Sequence, residues 1–212
     1  MTPRPIRSLA LLAVLALGGA GCGLGSGTTT TNTANAGVPI PAGCPTAQPD
    51  PLPAGETRTV TIDTDLGSLT IEVEADLSPI AAGNFVTLAG CGYYDGVGFH
   101  RVVPGFVIQG GDPTGSGSGG PGYTITDEPV TAAYGRGVVA MARTSRPDSV
   151  GSQFFIILDD EAAARSLTPV STYQIIGTVT AGMETADAIA AAADQERPTD
   201  PVVMTDVHVS TP

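Results

Sequence analysis

The sequence predicts a mainly β domain, a closed eight-stranded antiparallel β-barrel capped by two α-helices. Three observations point there: eight short runs rich in β-branched and apolar residues, turn residues between those runs, and two stretches with helical start signals. Strands are expected at 58–64, 68–74, 98–103, 106–109, 137–142, 153–158, 174–179 and 202–209, most of them bounded by Gly, Pro or Asp. The first two are separated by Asp65-Leu66-Gly67, a turn signal. One helix is expected at 80–89, with Ser78 as its cap and Pro79 at the first position, where a missing N–H costs nothing. A second is expected at 184–192, and 160–164 can form a single extra turn. A two-sheet sandwich with helical additions fits the same pattern.

The domain begins at about residue 57 and runs to 212, a length sufficient to bury a substantial core. The N-terminal side reads differently. Arg4 and Arg7 precede an apolar run from Leu9 to Leu17, followed by Gly18, Gly19, Ala20, Gly21 and then Cys22. That is the layout of a bacterial export signal over 1–22, too short for a spanning helix, which needs roughly 20 apolar residues. A cysteine directly after small residues resembles the lipobox of bacterial lipoproteins, which implies acylation of Cys22 and a membrane anchor on the outer side of the cytoplasmic membrane. The usual Leu three residues upstream is replaced by Gly19, so soluble secretion is the alternative. Residues 23–56 are mostly Gly, Ser, Thr, Asn, Ala and Pro, and are expected to form a flexible tether.

The three cysteines leave an even pair once Cys22 takes lipid. Cys44 and Cys91 can then form a disulfide in an oxidising compartment; two free thiols are the alternative. The formal net charge is −12 and every basic residue is an arginine, scattered along the chain. Nucleic-acid binding needs clustered cations, so it is not expected. Nor is a metal hydrolase, since His100 and His208 are the only histidines and no Cys-x-x-Cys or His-Glu-x-x-His occurs. The stretch 115–120 contains Gly-x-Gly-x-x-Gly, but prolines on both sides deny it the strand-to-helix setting of a dinucleotide fingerprint. It reads as a flexible surface loop.

The chemistry is concentrated in two runs. Phe99-His100-Arg101-Val102-Val103-Pro104-Gly105-Phe106-Val107-Ile108-Gln109-Gly110-Gly111-Asp112 combines a cation, an amide and large apolar side chains, and Gly151-Ser152-Gln153-Phe154-Phe155 adds a second amide and two rings. Together they resemble the active-site signature of the cyclophilin-type peptidyl-prolyl isomerases, and the resemblance extends from about Thr57 to the C-terminus. It implies the barrel named above. The activity it implies is rotation about the X-Pro amide, whose barrier of about 18–20 kcal/mol comes from delocalisation of the nitrogen lone pair. A guanidinium hydrogen-bonded to the prolyl nitrogen favours the twisted, pyramidal state over the planar one, which is differential binding of the transition state.

By this resemblance Arg101 is the catalytic cation, and Gln109 and Gln153 position the peptide and the arginine. Phe106, Val107 and Phe155 form the slot for the proline ring with Met141 at its wall, and Ala142 and Arg143 receive the residues before proline. Many relatives have Met where Val107 stands and Asn where Arg143 stands. Relatives often carry a Trp and then a His in the stretch that reads here Leu167-Thr168-Pro169-Val170-Ser171-Thr172-Tyr173; this chain has no Trp, with Leu167 near that position and Tyr173 at the His. Isomerase activity is therefore implied, and tight cyclosporin binding is not; a non-catalytic peptide-binding or chaperone module on the same fold is the alternative. His100 is expected to be structural. The implied partners are proline-containing segments of client proteins, with no cofactor and no metal, and the protein is expected to act as a monomer.

Overall fold

A two-residue loop, Asp65-Leu66, sets the first register. It joins β1 (Thr57–Thr64) to β2 (Gly67–Glu74) with Thr64 opposite Gly67, the latter at φ +127°, where a side chain would strain. The computed structural model describes residues 37–210. After the hairpin come α1 (Pro79–Gly90), β3 (Arg101–Val103), β4 (Val107–Gly110), β5 (Val138–Met141), β6 (Phe154–Ile157), α2 (Asp160–Ser166), β7 (Ile175–Ala181), α3 (Met183–Ala192) and β8 (Asp206–Ser210). Every strand pair is antiparallel, and the sheet order is β3-β4-β6-β5-β7-β2-β1-β8.

The expected barrel is not closed by its ladder. β3 and β8 are the two edges of one curled sheet, a half-barrel, and no β3–β8 pairing joins them. The residues ahead of each edge meet instead. Gly98 and Val203 form an isolated bridge, the Phe99 N–H donates to the Val202 carbonyl at 2.9 Å, and the Val102 N–H donates to the Glu196 carbonyl at 2.8 Å. Pro201 lies against Gly98, leaving no room there for a Cβ without a shift. The chain between α3 and β8 thus fills the seam, which is why strands expected from 98 and from 202 begin at Arg101 and Asp206.

Alternation of side chains divides the sheet into two faces. Val60, Ile62, Leu69, Ile71, Ile108, Val139, Met141, Phe154 and Ile156 share one buried cluster with Phe85 and Leu88 of α1 and Ile189 of α3. Val107, Ala140, Phe155, Ile157 and Ile175 point the other way and form a second cluster with Tyr134, Ala163 and Leu167. Aromatic rings knit the first: Phe85, Tyr94 and Phe154 lie with centroids 5.2–5.6 Å apart.

Among the described residues the helices number three, with 160–164 growing into the seven-residue α2 because the Asp159 carboxylate caps it, accepting from the Ala162 N–H at 2.8 Å. Ser78 precedes Pro79 as expected but makes no capping bond; the Glu128 carboxylate accepts from the N–H groups of Ile80 and Ala81, both at 2.9 Å. An acid at a helix N-terminus meets its unpaired donors and dipole together.

The expected signal segment, Cys22 and the first part of the expected tether lie outside the described residues. Residues 37–56 form no helix or strand, yet they do not behave as a free tether over that stretch. Leu52 is buried and its N–H donates to the Pro79 carbonyl at 2.9 Å, Val38 packs on the first cluster, and the Thr126 N–H donates to Gln48 Oε1 at 2.9 Å. Cys44 and Cys91 are joined as a disulfide, with Cα atoms 5.3 Å apart.

Candidate active site

Strand register assembles the site. Arg101 on β3 pairs with Gln109 on β4, Gln109 with Phe155 on β6, and Phe155 with Ala140 on β5. Residues directly opposite share a face, and neighbouring strands are about 4.8 Å apart, so the cation and the aromatic ring are carried on backbones roughly 10 Å apart on one side of the sheet. Alternation adds Val103 and Val107 to that side, with Gln153 two residues before Phe155 and Ala142 two after Ala140.

Side-chain amides link the row. Arg101 Nη1 donates to Gln109 Oε1 at 3.5 Å, Gln109 Nε2 to Gln153 Oε1 at 3.0 Å, and Gln153 Nε2 to the Gly119 carbonyl at 2.9 Å. On its other flank Arg101 Nε donates to Glu196 Oε1 at 2.8 Å. Beyond this polar row lies an apolar patch. Val107, Phe155 and Leu167 are buried beneath it, and Phe106 and Tyr173 pack on them partly exposed, the Tyr173 ring edge-on to Phe155 at 5.4 Å. Tyr173 is fixed by its backbone. The Tyr134 hydroxyl donates to its carbonyl at 2.8 Å and accepts from its N–H at 2.9 Å. Burial raises the Tyr134 pKa, so that hydroxyl keeps its proton.

A cavity of about 600 Å³ opens beside the amides, lined by Gln109, Gln153, Ala142, Arg143 and the chain from Gly117 to Thr124. Its far wall is the glycine-rich loop expected to be flexible, and here the structure corrects the sequence. The Asp112 carboxylate accepts from the Thr114 N–H (2.7 Å) and hydroxyl (2.8 Å), the Ser116 hydroxyl (3.3 Å) and the N–H groups of Gly117 (2.6 Å) and Gly119 (3.0 Å). Burial alone would raise the Asp112 pKa, but the Thr114, Gly119 and Gly117 donors outweigh it and hold the carboxyl below its ordinary 3.8. A Cβ at Gly119 would collide with that carboxylate, and one at Gly111, which sits at φ +85°, with the Ser152 carbonyl.

One of the expected site residues is placed elsewhere, and a second has its side chain engaged within the protein. Met141 lies on the opposite face from Ala140 and Ala142 and is fully buried in the first cluster, so it does not line the apolar patch; alternation along β5 forbids it. Arg143 reaches the cavity wall but its guanidinium is claimed by Asp127 (3.0 Å) and by the carbonyls of Arg146 (2.8 Å), Thr144 (3.2 Å) and Thr172 (3.4 Å). Those bonds tie the surrounding loops together while Arg143 still lines the cavity. Ala142 lines the cavity, its N–H donating to the Gln153 carbonyl at 2.8 Å. His100 is buried with neither ring nitrogen hydrogen-bonded. Sequence reading missed Tyr134 and Glu196; the latter is 95 residues from Arg101 and carries no local signal. The loop had one, since an Asp followed within seven residues by Thr, Ser and Gly donors is the composition of an Asx-type turn. Among the described residues Asp63, Asp206 and His208 also come together, within 4.8 Å, on β1 and β8, and none of them touches Arg101 or its partners.

The profile described as "Cyclophilin type peptidyl-prolyl cis-trans isomerase/CLD" matches residues 59–209. Peptidyl-prolyl cis-trans isomerase B of Bacillus subtilis is 40% identical over 124 residues, which are 57% of this chain and 81% of that protein. Peptidyl-prolyl cis-trans isomerase-like 1 of Rhizopus delemar is 48% identical over 102 residues, 46% of this chain and 61% of its own. Some relatives are much longer, and the chain covers 16% of an Arabidopsis thaliana isomerase that it matches at 50% identity over 99 residues, 44% of this chain. Among solved structures, a cyclophilin-type peptidyl-prolyl cis-trans isomerase of Cryptosporidium parvum superposes with TM-score 0.65 at 34% identity, covering 74% of this chain and 99% of that one. The same protein solved in the presence of the dipeptide Ala-Pro gives 0.64 at 35% identity, covering 73% and 99%. Register, signature and these likenesses agree, and the chain belongs to the cyclophilin-type peptidyl-prolyl cis-trans isomerase family.

Proposed function

We propose that this protein catalyses cis–trans isomerisation of X-Pro bonds, with Arg101 stabilising the twisted amide and the patch of Phe106, Val107, Phe155, Leu167 and Tyr173 receiving the proline ring. The observation that carries this reading is the single row Arg101–Gln109–Phe155, which sets a cation beside an apolar surface on one face of three paired strands. The Arg101 side chain keeps 31% of its surface exposed, so its remaining N–H groups are open to a substrate. Proline enters by its ring, the preceding carbonyl meets the amides of Gln109 and Gln153, and the guanidinium meets the nitrogen as it pyramidalises. The bond weakens because its lone pair is drawn toward the cation, without a nucleophile or a proton transfer. The test is refolding of a protein limited by a slow prolyl step: catalytic amounts should shorten that phase in proportion to concentration. A protein that binds the unfolded client without changing the rate would be a holdase.

The setting we propose is the cell envelope, with export by residues 1–22, lipid on Cys22 and proline-containing segments of exported proteins as clients. What supports it is the signal-like N-terminus and a cysteine pair joined across the domain, which suits an oxidising compartment. Labelling with a lipid probe should mark the wild type and not Cys22→Ala; an unmarked wild type would leave soluble secretion.

A further inference from the structure

We infer that the strap between α3 and β8 aims Arg101, with Glu196 as a positioning residue for isomerisation; this rests on the reading of Arg101 as the catalytic cation. A guanidinium is a rigid plane on a flexible stem, and its orientation is free unless separate nitrogens are held. Here two are. Glu196 takes the Nε–H at 2.8 Å and Gln109 takes Nη1 at 3.5 Å, which fixes the plane and leaves the Nη2 edge unclaimed. Backbone reinforces the side-chain bond, because the N–H of Val102, the residue after Arg101, donates to the carbonyl of Glu196 itself at 2.8 Å. Carboxylate and guanidinium are thus mounted on two segments already hydrogen-bonded to each other.

The strap has its own support. The Asp194 carboxylate accepts from the Thr199 N–H (3.0 Å) and hydroxyl (2.8 Å), closing a loop that presents residues 195–198. From that loop Arg197 Nη1 donates to the Ser116 carbonyl at 3.0 Å, binding the strap to the Asp112 loop. That loop holds Gln153 through the Gly119 carbonyl, Gln153 holds Gln109, and Gln109 holds Arg101. The adjacent residues Glu196 and Arg197 therefore close a ring of contacts around the cation, one gripping it directly and the other from behind. An exposed ion pair adds little to fold stability, and with 62% of the Glu196 side chain exposed the pair's effect falls on orientation.

The experiment compares wild type, Glu196→Ala, Glu196→Gln and Arg101→Ala in isomerisation of an Ala-Pro peptide, and follows the Arg101 Nε–H resonance by NMR. Glu196→Ala should lower kcat by roughly tenfold with KM within about twofold, since misaiming a catalytic group costs turnover while the proline ring still binds the apolar patch. The Nε–H signal should then broaden through exchange with water. Glu196→Gln, whose amide oxygen accepts the same bond, should recover most of kcat and the signal. An unchanged kcat in Glu196→Ala, with activity lost in Arg101→Ala, would reduce the pair to surface decoration. Activity persisting in Arg101→Ala would overturn the underlying reading as well. A rise in KM that accounts for the whole loss would make Glu196 a binding residue and overturn the positioning role.

Discussion

His100 and Arg101 are neighbours in the chain and opposites in environment. Alternation on β3 sends the arginine to the open face and the histidine inward, where it is 5% exposed. Burial lowers the His100 pKa below its ordinary 6.5; Arg197 and Arg101 push it the same way, and Asp112 opposes them. A depressed folded-state pKa means the unfolded chain binds the proton first. Stability is therefore fully present above about pH 6.5 and declines as pH falls from there through the folded value. Wild type should lose denaturation midpoint between pH 7 and 5, and His100→Gln should lose distinctly less; equal losses would place the titration elsewhere. Asp112, depressed by its donors, adds a second decline below its ordinary 3.8. At this scale the sequence was legible where a local pattern sufficed, as for the opposed sides of His100 and Arg101. It was not legible where a partner came from afar, as when Asp127 claims the Arg143 guanidinium.

The elements follow the same division. Turn residues and β-branched runs located every strand within a few residues, because a two-residue loop such as Asp65-Leu66 and a period of two are local facts. The N-terminus of α1 shows the limit, since its cap is Glu128, 48 residues from Ile80. β5 carries its own lesson. Ala142 and Met141 are adjacent and cannot both line one patch, so the alternation that admits Ala142 sends Met141 to the core. Met141→Ala should accordingly cost about 2–5 kcal/mol of stability, the usual range for emptying a buried site. Its kcat on an Ala-Pro peptide, measured well below the melting temperature, should stay within about twofold of wild type. A large drop in kcat from a folded Met141→Ala would restore it to the patch.

At the scale of the molecule the sheet is a curled ladder whose seam is closed by chain and not by pairing. The strap from α3 to β8 covers that seam on one side, and the segment 37–56 is stapled to the domain by Cys44 and Cys91. The pair spans 47 residues, and a loop of that length restricts the unfolded chain by about 2–4 kcal/mol. Cys44→Ser with Cys91→Ser should lower stability by that amount and leave the prolyl rate nearly intact, because neither cysteine touches the Arg101 row. No loss of stability in the double variant would show that the staple constrains little. An eight-stranded antiparallel architecture was readable from strand count and turn spacing, but closure was not, since it depends on whether two edges separated by about half the chain find register. What unites the scales is one face on which β3, β4, β6, the Asp112 loop and the strap converge on a single cation. The measurement that tests this most directly is cis–trans exchange of an Ala-Pro peptide by NMR, with peptide binding followed in the same titration. Wild type should accelerate exchange strongly, and Arg101→Ala should bind the peptide with similar affinity while losing at least roughly a hundredfold in exchange rate, the cost of removing a principal electrostatic stabiliser. Exchange undiminished in Arg101→Ala would contradict the account.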